Sequence, residues 1–182
     1  MCAYIYKRLL LLIKNISMIK TSALAQDCTV VSQHTVAEVW LKNSTQQHSL
    51  HANMLLNPGD KIADFSAGEF LPAPSFLTVQ VGLNKHITLI PPFLQYVNHS
   101  CDPNVFFDTT KMEVVCMKQI QPGEELRFFY PSTEWEMDQP FVCNCGSSNC
   151  LQLINGAAHL SDETLAQYRL SDFIKRQVHH RL

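Results

Sequence analysis

No stretch of this sequence is apolar for long enough to cross a bilayer. The run Leu9-Leu10-Leu11-Leu12-Ile13 falls far short of the ~20 residues a spanning helix needs. Excess positive charge is missing too. Lys and Arg number 14 against 16 Asp and Glu, a formal net charge of −2, which argues against direct nucleic-acid binding. Internal repeats and low-complexity tracts are absent. The seven cysteines do not make the even set of a secreted disulfide scaffold. Three of them, Cys143, Cys145 and Cys150, crowd into one short segment, which reads as metal ligation in a reduced compartment. What is present is an ordinary globular balance. Hydrophobic content is 46 % and charged content 16 % over 182 residues, enough for one domain with a core and a tail.

Residues 1–26 carry Lys7, Arg8, Lys14 and Lys20 and no acid. Ala23-Leu24-Ala25 has the look of a signal-peptidase site, but Lys14 and Asn15 interrupt the apolar region such a signal requires. The reading is a leader, disordered or targeting, with Met18 as another start. The protein is expected inside the cell, in nucleus or cytoplasm, or in an organelle if residues 1–26 act as an address.

Short apolar stretches separated by Pro/Gly turns then run along the chain. Residues 29–42 predict one or two strands, with Thr35–Trp40 the clearer. Asn57-Pro58-Gly59-Asp60 is a turn into a strand at Lys61–Phe65. Phe76–Val81 and His86–Ile90 flank Gly82-Leu83-Asn84-Lys85 as a hairpin. Val105–Phe107 and Glu113–Met117 predict another pair, and Pro122-Gly123 turns into a last strand, Leu126–Tyr130. Many short strands argue a mostly-β, α+β fold. Ser161 and Ser171 are placed to cap two short helices in a C-terminal tail.

Asn98-His99-Ser100-Cys101-Asp102-Pro103-Asn104 stands apart. It puts an amide, an imidazole, a hydroxyl and a thiol directly after the apolar run Phe93–Val97. Polar groups driven into a core need partners, and such a cluster points to a site. An Asx-type turn between two strands is the plainer reading of Asp-Pro-Asn. Two later blocks, Gly123-Glu124-Glu125-Leu126-Arg127-Phe128-Phe129-Tyr130 and Cys143-Asn144-Cys145-Gly146 with Cys150, weigh against it.

In this order, the three blocks resemble the SET-domain protein lysine methyltransferases with a post-SET zinc segment, from about Gln46 to about Gly156. The resemblance implies a SET-type β-clip with a pseudoknot formed by the Asn98–Asn104 segment, a zinc-bound post-SET loop and a C-terminal helix. It divides the chain into a leader (1–26), a SET domain (27–138), a post-SET zinc segment (139–156) and a helical tail (157–182). It implies S-adenosylmethionine bound by Asn98 and His99. Trp135 and Phe141 either stack on the adenine ring or pack. Zn²⁺ is implied on Cys101, Cys143, Cys145 and Cys150, with Cys101 supplying the fourth of the ligands that tetrahedral zinc wants. Tyr130 is the implied catalytic residue, aligning a lysine amine with the departing methyl group. Phe128 is the implied product-specificity residue, because it lacks the hydroxyl that a tyrosine there would offer.

Departures from the family pattern are visible. Its Gly-x-Gly is replaced by Gln47-His48-Ser49, and Phe65 stands where Tyr is usual. Between Phe70 and Thr78 there is almost no room for the helical insert that walls the substrate groove. The expected partner is a protein substrate offering a lysine side chain. Glu124, Glu125, Glu134, Glu136 and Asp138, against Arg127, would draw a basic tail towards Tyr130, or else form a solvated loop face. A catalytically inactive SET-like protein-binding module is the competing function.

Overall fold

Alternation of buried and outward residues explains the first sheet. In the strand Ala37–Lys42, Ala37 and Val39 turn inward and are 1 % exposed, while Trp40 faces out and stacks on His51 at 4.1 Å. The computed structural model describes residues 27–181, so the leader expected at 1–26 lies outside it. Strand β1 (Cys28–Gln33), β2 (Ala37–Lys42) and β3 (Gln47–Ala52) form an antiparallel meander. A second sheet takes β4 (Lys61–Asp64), β9 (Val105–Asp108) and β10 (Glu113–Cys116) in the order β4-β10-β9. A third takes β5 (Ser66–Leu71), β6 (Thr78–Gly82) and β7 (Lys85–Ile90) in the order β5-β7-β6. Small sheets bordering one core, with little helix, make this a mostly-β fold.

Leu50, Ile87, Phe107, Ile120 and Leu126, all 0 % exposed, bring the three sheets onto that core. Each contributes about 1.5–3 kcal/mol by leaving water. A second core joins Leu165, Phe173 and Ile174 of the tail to Ala157 and Trp135. Its helices α1 (Asp162–Leu165) and α2 (Asp172–His180) start where the cap residues predict. Ser161 accepts from the Thr164 N–H and Ser171 from the Ile174 N–H, each at 3.2 Å.

The sheet that positions the site is the smallest. β8 (Asn98–His99) and β11 (Arg127–Phe128) pair in parallel, with Asn98 opposite Arg127 and His99 opposite Phe128. The rest of the 98–104 segment is stitched to the same neighbour. Ser100 N donates to Phe128 O and Asn104 N to Arg127 O, both at 3.0 Å, and the Asn104 side chain bonds Glu125 O at 2.9 Å. The last strand is shorter than predicted. Pairing stops at Phe128 and the chain enters a 3₁₀ turn at Tyr130–Ser132, because Pro131 has no N–H to offer a ladder. Tyr130 therefore sits on a turn rather than ending a strand. Beyond it, β12 (Phe141–Val142) and β13 (Leu153–Ile154) form a two-residue hairpin that carries the cysteine segment between them.

Candidate active site and metal centre

A cleft of about 870 Å³ opens beside the parallel pair, within the usual size of a ligand site. Asn98, His99, Phe128, Tyr130 and Phe141 line it, together with Gln47 and His48 from the start of β3. The parallel register brings these together. It sets Asn98 and His99 one strand away from the segment that delivers Phe128 and Tyr130. Trp135 does not join them. Its indole packs in the tail's core with the Arg181 guanidinium 5.0 Å over the ring, so the expectation that it faces a cofactor is corrected. The Gln80 side chain takes the Trp135 N–H at 2.8 Å, and Gly156 runs against the Trp135 backbone, which fixes that orientation.

The Asn98 amide is half committed. Its Nδ2 donates to His48 O at 3.2 Å and to Glu125 Oε1 at 2.8 Å, leaving Oδ1 without a protein donor among the described residues. Backbone from the segment that replaces Gly-x-Gly thus meets Asn98 directly. His99 is fully committed. Its Nδ1 accepts from the Tyr130 N–H at 3.3 Å, which assigns the ring proton to Nε2 and points it at Cys101 Sγ, 3.3 Å away. Burial lowers its pKa to about 4, so the ring is neutral. What His99 leaves for a ligand is its backbone and ring face. The Tyr130 ring meets both His99 and Phe141 edge-on, at 5.2 and 6.0 Å. Its hydroxyl donates to Val97 O at 3.4 Å, and burial, with the charges of Glu125 and Glu134, pushes its pKa far above the ordinary phenol. It is a donor at every accessible pH. Phe128 packs on Phe107 at 4.5 Å and on Tyr130 at 4.8 Å, with no hydroxyl in the gap.

The four cysteines of the sequence argument come together. The sulfurs of Cys101, Cys143, Cys145 and Cys150 all lie within 4.8 Å of one another, and Cys101 Sγ is 3.9 Å from Cys143 Sγ. Ligands at ~2.3 Å around a tetrahedral ion stand roughly this far apart. Donors already point at them: Leu151 N–H to Cys101 Sγ at 3.4 Å, and the Ser147 hydroxyl 3.0 Å from Cys145 Sγ. Burial pushes the Cys143 thiol up to about 11 and the Cys101 thiol higher still. A bound cation is what reverses that preference and makes thiolates of them, so the donor set fits a metal. Cys116 is separate, a buried small side chain whose thiol donates to Lys118 O.

Sequence reasoning missed several members. Tyr168 stacks on Phe129 at 3.7 Å and donates its hydroxyl to Cys101 O at 3.0 Å, joined there by Asn149 Nδ2 at 2.8 Å. The acidic run is not one solvated face, because Glu134 is buried at 7 % exposure. The short segment 72–77 borders the cleft, with Phe76 and Leu77 exposed at its rim.

Comparison with known proteins gives the same family as the motifs. The SET domain profile matches residues 24–131. The methyltransferase flvH of Aspergillus flavus is 44 % identical over 109 residues, 58 % of this chain and 61 % of that protein. The H3 lysine-36 specific histone-lysine N-methyltransferase of Gibberella zeae is 28 % identical over 139 residues, 64 % of this chain and 15 % of that protein. Its Aspergillus oryzae counterpart is 33 % identical over 90 residues, 43 % of this chain and 9 % of that protein. The chain thus spans less than two-thirds of the length of these relatives. More than half of it matches the profile, and the matched part holds the parallel pair that builds the cleft: the chain belongs to the SET-domain family.

Proposed function

We propose that this chain is an S-adenosylmethionine-dependent protein-lysine N-methyltransferase, a transferase whose SET domain (27–138) is closed by a zinc-binding segment (139–156) and braced by the helical tail (157–182). The observation that carries this is the β8–β11 register, which puts Asn98 and Tyr130 on one cleft. S-Adenosylmethionine, when bound, supplies an electrophilic methyl group on a sulfonium that departs as a neutral thioether. Asn98, His99 and Phe141 are the residues that would hold it, Asn98 through its free Oδ1 and Phe141 through its ring. With its proton on Val97 O, the Tyr130 hydroxyl oxygen accepts an N–H of the attacking amine and so orients it with the lone pair free, and the aromatic lining excludes water. Zinc would sit on Cys101, Cys143, Cys145 and Cys150.

The substrate is a lysine side chain on a protein. The names of the histone-directed relatives make an H3 tail containing lysine-36 the first peptide to try, and support a location inside the cell, where such a substrate is met. Among the described residues no helix is long and apolar enough to cross a membrane. Labelled S-adenosylmethionine offered with H3 peptides, free lysine and whole extract tests the reading. Transfer to any of them is the expected result. No transfer, with no cofactor binding by calorimetry, would leave a protein-binding module, the reading that the loss of both glycines at Gln47-His48-Ser49 favours.

Two variants refine it. Asn98→Ala should weaken S-adenosylmethionine binding about tenfold or more, since Glu125 and the His48 carbonyl lose their donor along with the ligand. Unchanged affinity would remove Asn98 from the cofactor site. Phe128→Tyr should shift products towards monomethyl-lysine, because the added hydroxyl fills the gap beside Tyr130. Mass spectrometry of the products reads this directly, and an unchanged distribution would end the role.

A further inference from the structure

Glu134 is a buried acid with half of its carboxylate unaccounted for. Oε1 is occupied. It accepts from Gln80 N at 2.8 Å and from the Thr133 hydroxyl at 3.3 Å. This ties β6 to the turn after Tyr130, but a neutral glutamine would do that as well. Oε2 accepts no hydrogen bond from the described residues. The one basic group within 4.0 Å is His86 Nδ1, at 3.8 Å, too far for a hydrogen bond and itself unpartnered and buried. Burial lowers the His86 pKa, so the imidazole is neutral and does not balance a charge on Glu134. A buried carboxylate without a cation is costly, and persists where something else supplies the cation or takes the proton.

Its location says what that partner is. Glu134 lines the same cleft as Tyr130 and Phe128. Its own N–H donates to the Tyr130 backbone carbonyl at 3.0 Å, one turn on, and its charge reaches far enough to raise the Tyr130 pKa. Gln80 meets it from β6, His86 from β7, Tyr130 and Thr133 from its own turn, and Ala157 through its backbone alone. Glu125 is the other acid acting on Tyr130. A lysine reaching Tyr130 arrives as an ammonium, and an ammonium has no lone pair with which to attack a methyl group.

We propose that Glu134 is the proton acceptor for the substrate amine, holding the ammonium through Oε2 and taking its proton before methyl transfer. This rests on the lysine-methyltransferase reading above. In the step, one substrate N–H bond breaks and its electron pair stays on nitrogen. An O–H bond forms on Glu134 Oε2. The lone pair is then free to attack, and Glu134 returns its proton to solvent once the methylated product leaves. Burial fits the task, since it raises the Glu134 pKa to about 8, nearer to that of an amine than an ordinary carboxyl comes.

Glu134→Gln keeps the Oε1 hydrogen bonds and removes the base, so it separates pin from acceptor. With free lysine and H3 peptides as probes, wild-type transfer should rise with pH through about 8. The variant should lose about a hundredfold or more at that pH. Its own rise should move up towards the ~10.4 of the amine, so that the gap narrows as pH increases. Infrared spectroscopy gives a reading independent of turnover. A protonated-carboxyl band should titrate away near pH 8 in wild type and be missing from the variant. Stability gives a third. The folded chain holds this proton above the ordinary 4.5, so wild-type stability should fall as pH rises from there to about 8 and level off, a fall the variant lacks. A variant with the wild-type rate and pH profile would overturn the proposal and leave Glu134 a pin. Wild-type protein that transfers methyl to none of these probes would instead remove the methyltransferase reading, and this inference with it.

Discussion

Stripping zinc from the reduced protein should release residues 139–156 from the sheets and abolish methyl transfer together. The segment has little else to hold it. Its two strands pair over two residues each, and its apolar anchors are Ile154, fully buried, and Phe141 and Leu151, only partly so. A hairpin of that size is not stable by itself. Apparent zinc free energies of ~10–16 kcal/mol are ample to order it. The loss should spread to the cleft, because Phe141 lies in the segment and His99 donates to the Cys101 sulfur while accepting from Tyr130. Elemental analysis should find one zinc per chain. Cys101→Ser should lower zinc affinity and cofactor affinity in the same titration. Folded, reduced protein containing no zinc would disprove the assignment, and chelation that left circular dichroism and turnover intact would disprove the coupling.

Tyr130→Phe should cut turnover roughly a hundred- to a thousandfold, the ~2.7–4 kcal/mol typical of losing one orienting polar group in a dry site. The ring's contacts with His99, Phe128 and Phe141 survive the change, and the hydroxyl's one protein partner, Val97 O, is 3.4 Å away. Folding and zinc content should therefore hold, and cofactor affinity should move far less than in Asn98→Ala. Activity equal to wild type would make Tyr130 a core aromatic and nothing more.

Asn98, His99 and Cys101 were legible as a site because chemistry-bearing side chains stand within a few residues of one another behind an apolar run, a local signal. The cysteine spacing was local too, as were the serines that cap α1 and α2. What stayed hidden depended on partners far along the chain. Tyr168 meets the Cys101 carbonyl across 67 positions, and Glu134 reaches the Gln80 N–H across 54. No periodicity reports such pairings. The choice between stacking and packing at Trp135 was hidden for the same reason: its neighbours in sequence lie at the cleft, while its indole is claimed by Arg181 and the tail. The strand end at Phe128 was written in Pro131, one residue beyond the tyrosine that drew attention.

The four cysteines proposed to hold zinc are unevenly spaced along the chain, and polymer statistics say what this costs. Cys143 and Cys150 are 7 residues apart, whereas Cys101 and Cys143 are separated by 42. Closing a flexible loop costs about 0.6 kcal/mol for each doubling of length, so recruiting the distant thiol adds only about 1.5 kcal/mol over a local one. A tether of that length is entropically inexpensive beside the coordination bond it permits. Insertions at the exposed turn Thr110–Lys111 between β9 and β10 should accordingly leave metal affinity almost unchanged, while a shift of one residue between Cys143 and Cys145 should not.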